Sequence, residues 1–416
     1  MMLSKWLGRS KQAQTINSED LAKLHPYAAL PLETLDGAAG VAQRIDVNQG
    51  VITTEIPSGQ AVFLERGRLQ LQTGTGFLLH LSASSPQAAF PLPPSSALVS
   101  LYASETSRLL CVPESATPTA LDHQDHRLTQ PDLNTDETVA LDKLRAYFRH
   151  DHCELPSLPD LAMKIGKAID DQNNDNDDIA RLIQLDPALT TRIISVVNSA
   201  AFGGVHKITN THQATARLGR RKVRSLVYSC LLKSIFKVRS SILKKRMEDL
   251  WQHSAYVAAL SFVLGRQTPG IDPEQALLAG LVHDIGAVAV IGGINKFPVL
   301  ARRAEVMNYT IDRLRLEAGI LTLKQWRLEN VFLDVVKNSS NWQRIGYAIP
   351  DNVDVVLLAR LHALIGTPAQ SHIPRIDEVP AFMKLAKGEL TPHHSLAVLE
   401  AAEADVREVR GLISVG

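Results

Sequence analysis

Cysteine is scarce in this chain of 416 residues. There are three, Cys111, Cys153 and Cys230, far apart and with no close pair. That spacing excludes a disulfide framework and a cysteine zinc knuckle, and it fits a reducing compartment. Charge of one sign is also missing: 44 Lys and Arg against 43 Asp and Glu leave a net charge of +1. A globally basic nucleic-acid binder is thereby excluded. Aromatic residues are sparse, at 5%. The first 18 residues carry Lys5, Arg9 and Lys11 but no apolar run of signal-peptide length. No window is read as a membrane span. Trp6 and Leu7 stand among basic residues at a terminus read as frayed. The expected location is the cytoplasm.

What is present divides the chain in two. Residues 45–112 read as β: Val62 and Leu64, then Leu69 and Leu71, then Phe77, Leu79 and Leu81 recur at period two. Glu65-Arg66-Gly67 and Thr73-Gly74-Thr75-Gly76 supply turns between them, and Pro86 to Pro94 interrupts the pattern. Residues 113–136 are rich in Pro, Thr, Asp and His without apolar periodicity, as a linker is. Its Asp122-His123-Gln124-Asp125-His126 has metal-ligand types but no expected rigidity.

From about Glu137 the pattern is helical. Asp186-Pro187 is a helix start, with Asp as cap and Pro in the first turn. Helical patterns follow at Gly219–Phe236, Lys244–Arg266, Pro273–Asp284, Ile311–Ala318, Leu321–Asn330, Asn352–Ile365 and Ser395–Leu412. The fold expected is multidomain α+β: a small N-terminal β-roll or barrel and a C-terminal all-α domain. The divisions are 1–30 as a helical or flexible segment, 31–112 as the β-roll, 113–136 as the linker and 137–416 as the helical domain with its C-terminal extension.

Two features carry chemistry. Gly280-Leu281-Val282-His283-Asp284-Ile285-Gly286 ends an apolar helix with a His-Asp doublet, which can share one metal ion. The second is a basic tract. Positions 187–247 hold thirteen Lys or Arg and no acid, including Arg217, Arg220, Arg221 and Arg224, then Lys233, Lys237, Arg239, Lys244, Lys245 and Arg246. Asp170, Asp171, Asp175, Asp177, Asp178 and Asp186 lie just before it. Arg217, Arg220, Arg221 and Arg224 are candidates for an anion or nucleotide site, against a solvated face balanced by those acids. Only Tyr228 and Phe236 interleave, which disfavours single-strand nucleic acid.

In order along the chain, Leu155-Pro156-Ser157-Leu158-Pro159, Asp186-Pro187-Ala188-Leu189, Val197-Asn198-Ser199-Ala200-Ala201-Phe202, Leu250-Trp251-Gln252-His253-Ser254 and the segment around His283 resemble the HDOD domain of bacterial signalling proteins, the HD-related output domain. The resemblance covers about Leu155 to Ile365. It implies an all-helical relative of the HD phosphohydrolases with a signalling role, usually without catalysis. By the same resemblance His253, His283 and Asp284 are candidate metal ligands, for Fe, Mn or Zn. The related HD-GYP phosphodiesterases carry a Lys where this chain has Ala287, and further histidines downstream. Here Glu317 to Thr322 and Lys337 to Asn341 contain none. A last Asp belongs in the helix Asn352–Ile365, which offers Arg360 and His362 near the place and Asp354 earlier.

The segment Val62 to Leu71 resembles the paired strands of a cyclic-nucleotide-binding β-roll. That family's cassette uses a Glu and an Arg on ribose and phosphate. The corresponding Ser82 to Phe90 has neither, with Gln87 where the Arg belongs. The resemblance implies a kept fold with lost or altered ligand chemistry. The chain therefore reads as a non-catalytic signal-transduction protein, without a cofactor, whose partners are other signalling proteins. Two alternatives stand: a metal-dependent phosphodiesterase or phosphohydrolase at the His-Asp doublet, and a cyclic mono- or dinucleotide receptor.

Overall fold

The computed structural model describes residues 16–414 apart from 75, 118–129, 150–152, 203–205, 329 and 386–402. The linker motif Asp122 to His126, the terminal Trp6 and Leu7 and the start of the expected helix Ser395–Leu412 lie outside them.

Seven antiparallel strands build the N-terminal half: β1 Gln43–Val47, β2 Ile52–Thr53, β3 Gln60–Arg66, β4 Arg68–Thr73, β5 Leu78–Ser82, β6 Leu98–Ala103 and β7 Ser107–Pro113. They form a three-stranded sheet, β1-β7-β3, and a four-stranded sheet, β2-β6-β4-β5. Of the period-two residues Val62, Leu64, Leu69, Leu71 and Leu81 share one core, with Leu79 partly buried against it, while Phe77 precedes its strand. Gly67, at φ 95°, makes the β3–β4 turn; a Cβ there would lie 2.4 Å from Ser107 Oγ. Phe63, between Val62 and Leu64, points to the other face of its sheet. There it meets Leu21, Tyr27 and Leu35. The segment read as helical or flexible thus includes the short helix Ser18–Leu21, which with Leu32–Val41 covers the outside of the three-stranded sheet. Arg44 fastens this cover, reaching Glu65 at 2.6 Å and Asp20 at 2.9 Å.

The C-terminal half is helical. Its centre is the 27-residue helix Ser241–Gln267 packed on Pro273–Val282. Two differences from the sequence reading have physical causes. The patterns at Ile311–Ala318 and Leu321–Asn330 belong to one helix, Ala304–Trp326. Gly319 does not break it, because its bare backbone lets the helix Ile285–Ile294 come close; a Cβ on Gly319 would sit 3.3 Å from Gly286 N. Second, Pro273–Ile294 forms a 22-residue apolar run, long enough by composition to cross a membrane but 89% buried in the protein. It escaped the sequence reading because His283 and Asp284 interrupt it. It is the core pair of helices around which the others pack.

The two halves are joined through Gln87 to Pro91. Ala348, fully buried, completes the β core together with Ile345, Ile349 and Met383. Its amide donates to Pro91 O at 2.8 Å. Gln87 Nε2 donates to Lys384 O at 3.0 Å. Lys384 itself is buried, with Nζ 2.5 Å from Asp354 Oδ1, 2.8 Å from Ile345 O and 5.3 Å above the Phe90 ring. Arg344 completes the cluster, 3.1 Å from Asp354 and 2.5 Å from Asp351. Burial pushes Lys384 down and Asp354 up, a cost that the close opposite charges offset.

Candidate functional site

The His-Asp doublet is the junction between two buried helices. Asp272 caps the first, accepting from Gln275 N at 3.0 Å, and Pro273 opens it. His283 ends it and Asp284, at φ −121° and ψ 31°, starts Ile285–Ile294. Two glycines of the motif set what surrounds the junction. A Cβ on Gly280 would lie 2.7 Å from Ala258 Cα, so the helix bearing His253 comes close. A Cβ on Gly286 would lie 1.7 Å from Arg315 O, so Ala304–Trp326 is equally close.

The structure brings His253, His283 and Asp284 into one neighbourhood. The two imidazole centroids are 5.4 Å apart, at 61°. His283 Nδ1 donates to Gly280 O at 2.7 Å, which leaves Nε2 as the acceptor; that atom is buried and has no hydrogen-bond partner among the described residues. Burial first, then nearby positive charge including Arg360, lowers His283 to about 4. Burial, His283 and Arg360 lower His253 to about 3. Both are neutral at pH 7. Burial pushes Asp284 up, but Arg315, His283 and Arg360 outweigh it and hold the carboxyl below its usual value.

Two arginines decide the character of this site. Arg315 Nη1 stands 3.7 Å from Asp284 Oδ1, and its Nη2 lies 3.1 Å from Asp312 and donates to Ser340 Oγ at 3.0 Å. Arg360 Nη1 donates to Ser339 O at 2.7 Å and Ser340 Oγ at 3.0 Å, with its guanidinium over Trp342. Ser339 in turn donates to His283 O at 3.3 Å. A cleft of about 590 Å³ opens here, lined among others by His283, Asp284, Arg313, Arg315 and Ser340. A divalent ion would find neutral imidazoles and an ionised carboxylate, the right protonation states. It would also meet the Arg315 guanidinium beside Asp284 and the positive charge of Arg360 close by. Among the described residues no group of three or more His, Cys, Asp and Glu has metal-holding geometry. The side chains present do not fit a divalent ion.

Asp354 plays no part here; it belongs to the buried cluster with Lys384 and Arg344. Arg315 and Asp312 were not singled out from sequence. They stand at i and i+3 within the expected helix Ile311–Ala318, a spacing that pairs them with each other but does not point to Asp284.

The four arginines of the basic tract are engaged separately rather than gathered around one centre. Arg220 Nη2 donates to Ala168 O at 3.0 Å and Asp171 O at 2.6 Å, closing the C-terminal end of Asp160–Asp170. Arg224 pairs with Asp170. Arg217 reaches His206 O at 3.5 Å, and Arg221 is exposed. Lys222 bonds the buried Glu274 at 3.0 Å, and His212 meets Asp177 at 2.8 Å. These contacts lay part of the basic tract against the acidic segment that precedes it.

With this geometry in hand, comparison places the domain. Residues 155–342 match the HDOD domain, and the chain carries an HDOD domain there. The fold is shared with a crystal structure from Shewanella amazonensis provisionally named a metal-dependent phosphohydrolase: 21% identity over 68% of this chain and all of that one, with a TM-score of 0.56. A protein from Marinobacter aquaeolei, provisionally named a signal transduction protein, aligns at 17% identity over 93% of this chain and all of its own, with a TM-score of 0.42. An uncharacterized protein of Treponema pallidum is 24% identical over 238 residues, 53% of this chain. The chain spans about half, 45%, of the length of that curated relative.

Proposed function

We propose that this is a non-catalytic regulatory protein of the cytoplasm, whose HDOD domain acts on other signalling proteins through contacts and conformational change. The observation that carries the reading is Arg315 on Asp284, with the charge of Arg360 also acting on that carboxylate. The guanidinium charges replace the metal's charge, so the doublet keeps its neutral imidazoles and its carboxylate as a packing unit. Such a buried polar cluster specifies how five helices meet without turning over a substrate.

One observation favours a metal-dependent phosphohydrolase instead: the buried Nε2 of His283 has no partner among the described residues. Elemental analysis separates the two. Full-length protein from medium supplied with iron, manganese and zinc should carry far less than one metal per chain, and should not hydrolyse bis(p-nitrophenyl) phosphate. One metal per chain that Asp284→Ala removes, together with metal-dependent hydrolysis, overturns the proposal. The nucleotide-receptor alternative has less support at the β-roll, since Gln87, where the family's Arg belongs, is engaged with Lys384 O and Ala348 packs into the β core.

A further inference from the structure

A second cavity, of about 560 Å³, lies between the helices Pro187–Val197 and Ser241–Gln267 and the segment joining Arg220–Leu231 to the latter. It shares no lining residue with the cleft at Asp284. Its floor is apolar: Leu189, Cys230, Phe236, Met247 and Trp251 are each buried. Its other lining residues include Arg192 and, from the second cluster of the basic tract, Lys233, Lys237 and Lys244. The acids beside them are occupied. Asp186 caps its helix through Ala188 N and Leu189 N, and Glu248 accepts from Gln252 Nε2 at 2.7 Å. Lys237 and Lys244 are exposed and, among the described residues, have no ion-pair partner. The indole N–H of Trp251, on the floor, is buried with no hydrogen-bond partner among the described residues. Such an unmet donor is unusual in a folded interior.

An apolar floor and the exposed Lys237 and Lys244 in the same lining together select one chemistry. We propose that this cavity binds a small amphiphilic anion, with one carboxylate or phosphate head held by Lys237 and Lys244 and an aliphatic body lying on Leu189, Phe236, Met247 and Trp251. The volume is within the range of small-molecule sites, ~300–1,000 Å³. The head makes charge-assisted bonds, and the body contributes through burial. Helix Ser241–Gln267 carries Met247 and Trp251 and, half a turn on, His253. The ligand would therefore bear on the same helix as the His-Asp centre.

Calorimetric titration of the full chain tests this with four probes: decanoate, decyl phosphate, decanol and inorganic phosphate. At least one of the two anionic amphiphiles should saturate at one per chain. Which one binds identifies the head group. Decanol and inorganic phosphate should bind at least about tenfold more weakly, since each lacks half of the recognition. Lys237→Ala with Lys244→Ala, both exposed, should fold with unchanged far-UV circular dichroism and weaken the anion about tenfold or more. Failure of both amphiphiles to saturate overturns the proposal, as does uptake at several per chain. Equal affinity in the double variant does the same.

Discussion

Lys384 is the most informative single position for the fold. Its ammonium and the Asp354 carboxylate are both fully buried and 2.5 Å apart. At an effective dielectric of about 20, unit charges at that spacing attract by about 7 kcal/mol. Stripping water from two ions costs several kcal/mol each, so the pair's net worth is close to zero. Removing one partner is different, because the other stays buried. Lys384→Met leaves Asp351 and Asp354 with Arg344 alone. The general cost of breaking a buried pair is about 3–5 kcal/mol, and Arg344 at 3.1 Å puts this case near the lower end, about 3 kcal/mol. Lys384→Met combined with Asp354→Asn rebalances the charge and keeps an acceptor for Asp351 N. It should recover all but about 1 kcal/mol. Urea unfolding followed by far-UV circular dichroism, with midpoint and slope fitted together, reads both values. The reasoning fails if the single change costs under about 1 kcal/mol, or if the two substitutions simply add.

Other outcomes follow from the same geometry. Gly286→Ala would drive a methyl group to 1.7 Å from Arg315 O, and thermal unfolding should show a loss of at least about 3 kcal/mol; an unchanged melting temperature refutes the close approach. His362 is lowered to about 4 by burial, from an unfolded value of 6.5. It therefore contributes stability that is complete above pH 6.5 and lost as the pH falls toward 4, about 3 kcal/mol in all. Stability measured at pH 7 and pH 4 should fall by about that much less in His362→Gln. Equal falls in the two proteins would show that His362 is not held neutral.

Much of this was legible in the sequence because local periodicity was strong. Val62, Leu64, Leu69 and Leu71 report their strands through alternation alone, and Asp186-Pro187 marks a helix start by its own chemistry. The doublet's place at the end of an apolar helix could be read the same way. Three things could not. Gly319 reads as a breaker in isolation, whereas its role is set by Gly286 on another helix. Arg315 has no motif; it matters because the close packing at Gly286 brings its helix against Asp284. Lys384 is a charged residue in an apolar context, and only its partners 30 and 40 positions earlier, Asp354 and Arg344, explain its burial. Local pattern is written in neighbours along the chain, while these three depend on neighbours across it.

Ala348 has a consequence for how the protein can be divided. The β half closes its core only with residues 345–349 and Met383 from the far side of the helical domain. A cut in the linker would therefore give two fragments, each with an open apolar face, and a transplanted β half would need that loop and helix carried with it. The joint also bears on the doublet. Asp351 caps the helix Asn352–Leu364, Asp354 lies in its first turn, and Arg360 projects from the same rod. At 1.5 Å per residue the joint and Arg360 are about 9 Å apart along one rigid axle. Whatever turns the β half turns the residue that stands beside the His-Asp centre.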